Sequence, residues 1–193
     1  MLELCVYLKT VSDDGIKKWE KRFQDAKMKV NIHPDFSFSN QFGFLPFKIH
    51  FDEPDISLLK DKDWISGFEM YIDDFNFEDI KKEAQPKKSF LKSLFSLSKD
   101  EFVFVNKEVD SILSECKKQI TLRWGTLDTL EFRMAFLSAA ILPEIFGGVC
   151  YDPQEDRWDY GQGLFEKFLS EVNSFESDIK PIRWKLHEFE KWM

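Results

Sequence analysis

The stretch "TLDTLEFRMAFLSAAILPEIFGG" at residues 126–148 decides the architecture. Leu130, Met134, Leu137 and Ile141 recur at helical spacing, and Phe132, Ala135, Phe136 and Ala139 fill another face. A helix with almost no polar side runs through the interior of a fold. Burying roughly eight large apolar side chains at about 1.5–3 kcal/mol each makes it the main source of hydrophobic stabilisation. Asp128 is the expected N-cap, with Glu131 at the third helical position, the spacing of a capping box. Pro143 has no N–H for the carbonyl of residue 139, so a kink or a helix end is expected there. Gly147 and Gly148 then stop the helix, because glycine tolerates the left-handed conformation. The expectation is a buried central helix near 128–146. Pro143, Glu144 and the two glycines interrupt the apolar run too soon for a membrane span.

The flanking sequence alternates with a period of two. In "LELCVYL" (residues 2–8) Leu2, Leu4, Val6 and Leu8 oppose Glu3, Cys5 and Tyr7, the signature of a strand. "MKVNIHP", "PFKIHF", "WISGFEMYI", "QITLRWG" and "GGVCY" read as further strands, and residues 35–47 as a loop or short strands. Residues 12–28 read as an amphipathic helix with Ser12 as N-cap, Asp13 and Asp14 in its first turn, and Ile16, Trp19, Phe23 and Ala26 on one face. "IDDFNFEDIKK" leaves the sheet for a short helix. "EFVFVNKEVDSILSECKKQ" begins strand-like and then places Val109, Ile112, Leu113 and Cys116 at helical spacing. Leu164, Phe165, Phe168, Leu169 and Val172 predict another helix. Pro181 suits the first position of a last one carrying Ile182, Leu186, Phe189 and Met193. The fold class is therefore α+β: one domain over 1–193, a mostly antiparallel sheet with packed helices. The basic, Ser-rich segment 84–100 reads as a short amphipathic helix or a mobile loop.

Composition narrows the function. The chain has 193 residues, 43% of them apolar, which is ample for a globular core. A net charge of −8 repels free nucleic acid and attracts a basic protein. The three cysteines, Cys5, Cys116 and Cys150, are far apart with no CxxC, which fits a reducing cytoplasm better than a disulfide framework. "MLELCVYLK" has neither the basic start nor the cleavage site of a leader. His33, His50 and His187 have no metal-ligand spacing. From Asp152 the string "DPQEDRWDYGQG" places oxygens at the first, third and fifth positions of a calcium loop. Arg157 then stands where glycine is needed and Gly163 where the bidentate Glu is needed. Gly147 and Gly148 follow a helix instead of opening one, so they do not cradle phosphate. No GxSxG or neighbouring Cys–His pair marks a nucleophile. A carboxylate cluster of Glu69, Glu131 and Asp152 remains as the alternative reading, a small hydrolase. The expectation is otherwise no catalytic residue, no metal and no cofactor.

What is left is surface. Residues 61–79 hold seven acids and one base, Lys62; residues 152–159 hold four acids against Arg157, with Trp158 and then Tyr160 interleaved. Charge steers encounter and aromatics anchor it, so the candidate partner-binding residues are Asp73, Asp74, Glu78, Asp79, Asp152, Glu155, Asp156, Trp158, Asp159 and Tyr160.

"ISGFEMY" followed by "ITLRWGTLDTLEFRMAFLSAAILPEIFGGVCYDPQ" resembles bacterial immunity-type proteins of polymorphic and contact-dependent growth inhibition toxin systems. The matching positions are Gly67, Phe68, Glu69 and Tyr71; Trp124 and Gly125; Glu131; Ala139 and Ala140; and Gly147, Gly148, Asp152, Pro153 and Gln154. The resemblance implies a cytoplasmic inhibitor, a monomer before it binds, that covers the active site of a cognate toxin C-terminal domain, with a basic nuclease as the expected kind. It implies no catalysis, no nucleic-acid ligand and no membrane.

Overall fold

The computed structural model describes residues 1–52, 54, 59–84, 102–125, 128–178 and 185–192. The period-two stretches join one antiparallel sheet of β1 (Leu2–Leu8), β2 (Met28–Ile32), β3 (Phe42–Phe51), β4 (Asp63–Asp74), β5 (Lys118–Trp124), β6 (Gly148–Asp152), β7 (Arg157–Tyr160) and β8 (His187–Glu188). Their order is β2-β3-β4-β5-β1-β6-β7, with β8 on β4. The described helices are α1 (Ile16–Arg22), α2 (Phe77–Ala84), α3 (Lys107–Glu115), α4 (Thr129–Phe146) and α5 (Leu164–Asp178). The fold is α+β. None of the described helices is long and apolar enough to cross a membrane.

One side of the sheet carries the main core. Leu4, Val6 and Leu8 of β1 and Ile120 and Leu122 of β5 point to this inner face, together with Leu45, Phe47 and Ile49 of β3 and Phe68 and Met70 of β4. The register pairs Leu4 with Leu122 and Val6 with Ile120, so apolar residues meet across the ladder. α4 crosses this face, buried on nearly every side as its sequence predicts, with α1 and α5 beside it. Its few polar groups have partners. Ser138 accepts from the Trp19 indole at 3.2 Å, and Arg133 donates to Glu176 of α5 at 2.6 Å. Arg22 binds Glu144 at 2.9 Å and Glu166 at 2.7 Å, tying α1 to the end of α4 and the start of α5.

The ends of α4 are only partly as expected. Asp128 caps the helix by accepting from the Leu130 N–H at 2.9 Å. Glu131 does not complete a capping box; it takes the Gly125 N–H at 2.9 Å. Pro143 ends nothing, since the helix runs on to Phe146. The missing N–H costs the helix one bond, the one to the Ala139 carbonyl, and the helix carries that single loss through to its end. Gly147, at φ 70, then bonds back to the Pro143 carbonyl at 2.9 Å. Gly148 brings β6 hard against β1: a Cβ there would lie 1.9 Å from the Tyr7 carbonyl oxygen.

Three expectations are corrected. Residues 102–105 are not a strand: the Asp110 carboxylate takes the N–H groups of Phe104 and Val105 at 2.8 and 3.0 Å and bends the chain into α3. Ser12 makes no side-chain cap; Asp13 instead holds Ser37 and Phe38. Residues 185–192 are not helical, because His187–Glu188 fill the side of β4 that β5 leaves open at Trp64–Ile65. Residues 157–160, to which the sequence assigns no element, form β7, folded back on β6. Residues 85–100 of the basic segment, and Pro181, Ile182 and Met193, lie outside the described residues.

Candidate functional site

The opposite, outer face of the sheet is covered at one end. There α2 and α3 pack Phe75, Phe77, Val109, Leu113 and Cys116 over Val149, with Tyr7, Trp158 and Tyr160 at the margin. Farther along the strands, the register aligns a row across six of them: Phe42, Tyr71, Thr121, Cys5, Tyr151 and Trp158. At about 4.8 Å per step the row is roughly 24 Å wide. A neighbouring row runs Phe44, Glu69, Arg123 and Glu3.

Large apolar rings stand in water on this face. Phe42 is 83% exposed and Phe44 50%. The Phe42 ring meets Tyr71 edge-on at 4.8 Å, and the Arg123 guanidinium lies 5.3 Å from the Tyr71 ring centre. The Tyr71 hydroxyl donates to Glu69 at 2.9 Å, and that bond raises its pKa. Arg123 donates to Glu3 at 2.8 Å. Gly67 explains itself here: a Cβ would fall 2.0 Å from the Leu45 carbonyl oxygen and 2.9 Å from the Phe44 ring. Of the "GFE-Y" residues, Phe68 belongs to the core, while Glu69 and Tyr71 build the outer face.

At the far end, Trp158 stacks on Tyr151 at 4.4 Å and on Tyr7 at 5.7 Å, with the edge of Phe104 at 6.3 Å. A cleft of 440 Å³ opens among these rings, Phe75 and Asp156. Burial pushes the Tyr7 phenol well above its ordinary value. The Tyr160 hydroxyl donates to Glu108 at 2.9 Å. A second cleft, of 640 Å³, lies between α2 and α3, where Glu78, Lys81, Lys107 and Asp110 mix both signs of charge.

The ten sequence-predicted residues divide. Asp73 and Asp74 are exposed at the end of β4, Asp74 beside Lys118 at 2.7 Å. Glu78 and Asp79 are exposed in the first turn of α2, where Asp79 accepts from Asn76 and Lys82. Glu155 and Asp156 are exposed at the β6–β7 turn, and Trp158 and Tyr160 are half-buried on the outer face. Asp152 and Asp159 are not surface charges: each is 7% exposed on the inner side. Asp152 accepts the Gln154 N–H at 3.0 Å, and Asp159 pairs with Arg157 and Lys167 beside α5. One residue's shift along a strand reverses the face, and both sit on the phase that points inward.

The carboxylates of the hydrolase reading do not line either cleft. Glu69 serves Tyr71, Glu131 serves Gly125 with its pKa raised by burial, and Asp152 closes a turn. Among the described residues, no group of three His, Cys, Asp or Glu side chains is placed to hold a metal ion. Sequence reasoning missed Phe42, Phe44, Tyr71, Arg123 and Glu3 as surface. The available signal was phase: Phe42 and Phe44 sit out of step with Leu45, Phe47, Ile49 and Phe51, which fill the core. No family model, curated protein or solved structure matches the chain.

Proposed function

We propose that this chain is an immunity protein that binds a cognate toxin domain through the outer face of its sheet and so blocks the toxin, acting in the cytoplasm. The observation that carries the reading is exposed Phe42, which ends the row through Tyr71 to Tyr151 and Trp158, with exposed Phe44 in the next row and Glu3, Glu69 and Asp73 on the same face. Neighbouring exposed rings on a sheet face support reading that face as an interaction surface. Aromatic anchors supply the affinity of such contacts, and surrounding charge supplies orientation and association rate. The net charge of −8 and the carboxylates Asp74, Glu155 and Asp156 favour a basic partner, as a nuclease domain is. Blocking by coverage needs no chemistry from this chain.

The test is co-expression with the toxin domain encoded beside this gene, followed by calorimetry on the purified pair. A one-to-one complex and rescued growth are expected, and Phe42→Ala with Tyr71→Ala is expected to weaken binding by roughly thirtyfold or more, the scale of a hot-spot loss. No complex at micromolar concentrations, together with no protection, would sink the proposal.

A further inference from the structure

The cleft at the Trp158 end has a chemistry of its own. Its walls hold five aromatic rings, Tyr7 from β1, Phe75 after β4, Phe104 before α3, Tyr151 from β6 and Trp158 from β7, together with aliphatic Ile80, Val105 and Leu113. Tyr7 and Phe75 lie 4.7 Å apart at 57°, and Trp158 lies nearly parallel to both Tyr151 and Tyr7, at 25° and 26°. Tyr7, Phe104, Tyr151 and Trp158 are only half-buried, so these rings border the cleft on one side, while Tyr7, Phe104 and Trp158 also pack against the small core under α2 and α3. Of the nine residues that line the cleft, Asp156 alone carries a charge. It stands exposed at the tip of the β6–β7 turn and accepts the Tyr151 hydroxyl at 3.1 Å. That bond uses one of about four lone-pair sites on a carboxylate, which leaves the group able to receive another donor.

Ring faces are negative and ring edges positive, so the ring faces left open to the cleft attract an organic cation, more so when partly shielded from water. A carboxylate at the mouth adds charge selection and a hydrogen-bond acceptor. A purely apolar side chain would gain from the rings but would leave Asp156 partly desolvated and without a counter-ion. We infer that this cleft receives one basic side chain, arginine or lysine, presented by the protein partner. That the cation arrives on a protein rests on the function proposed above; the cleft's preference for a cation does not.

The decisive measurement uses the whole chain and N-acetyl-arginine amide as probe, followed through the Trp158 indole N–H resonance, which Trp158→Phe identifies by its loss. The expected result is a saturable, salt-sensitive shift at millimolar probe, weakened roughly fivefold or more in Asp156→Asn, within the range of an exposed cation–ring and carboxylate contact. The uncharged isostere N-acetyl-citrulline amide and the norleucine amide are expected to leave the resonance in place. Asn tolerates the positive φ of 47 at this turn, so the variant keeps the fold, and unmoved signals from the other tryptophans verify that. Equal binding of the neutral probes, or no saturable shift with the arginine probe, overturns the inference. If the toxin domain binds while Asp156→Asn leaves its affinity unchanged, the cleft inference fails alone. If the arginine probe binds and no toxin domain does, the proposed function fails alone.

Discussion

Removing Arg133 tests how the helices on the inner face are held. Its side chain is 9% exposed, and that of Glu176 is 13% exposed, 2.6 Å away. Burial already raises the Glu176 pKa, and Arg133 opposes that rise. Arg133→Ala leaves a carboxylate in a poorly solvated site without its cation, and breaking a buried pair from one side costs about 3–5 kcal/mol. For a chain of this size each kcal/mol moves Tm by about 2–4 °C, so Tm is expected to fall by roughly 6–20 °C. The pH dependence has a definite sign. A carboxylate whose folded pKa is raised binds its proton more tightly in the folded state, so the penalty is full where both states are ionised. It fades as pH falls through the raised folded value toward the unfolded value of about 4.3. The stability gap between Arg133→Ala and the parent protein should therefore narrow steadily on acidification from neutral pH, in urea titrations at a series of pH values. The double variant Arg133→Met/Glu176→Met should recover most of the loss, because two packed apolar side chains avoid both desolvation costs. A loss below about 1 kcal/mol that stays flat with pH, or a double variant no better than the single, would refute the reasoning.

Phe42→Ala should leave stability within about 0.5 kcal/mol in chemical denaturation, since the ring is 83% exposed, whatever it does to partner binding. Gly148→Ala should cost about 1–3 kcal/mol in the same assay, because its Cβ would sit 1.9 Å from the Tyr7 carbonyl oxygen and the ladder between β1 and β6 would have to move. Asp128→Ala, which removes the α4 N-cap, should cost about 0.5–2 kcal/mol; Asp128→Asn should recover most of it. All three thiols are buried, Cys150 with its pKa pushed well up by burial and Cys116 pushed to about 11, so native protein at pH 8 should resist iodoacetamide while denatured protein is alkylated at every cysteine. Rapid alkylation of Cys150 in the native state would contradict its burial.

Much of the fold was legible because the signals are local and repeated. The strands announced themselves through alternation, as in Leu4, Val6 and Leu8 against Glu3, Cys5 and Tyr7, and α4 through apolar residues on every side. The errors fell where a distant partner overruled a short segment. The 102–105 run looked like a strand, but Asp110 of α3 claims its backbone. The run from Leu186 to Phe189 has helical spacing, yet the vacant flank of β4 takes it as β8. The acidic, aromatic stretch 152–160 reads in sequence as one recognition surface, and hairpin pairing splits it into two faces.

The residues alone determined the strands β1 to β6, that one helix is buried throughout, and that the molecule is acidic, because periodicity and charge are properties of neighbouring positions. Tertiary structure decided that Asp152 and Asp159 turn inward, that Phe42, Tyr71, Tyr151 and Trp158 share one row, and that Asp156 stands at the mouth of an aromatic cleft. These depend on register between strands far apart in the chain. Register is set by the sum of many packing contacts, and no single stretch of sequence contains that sum.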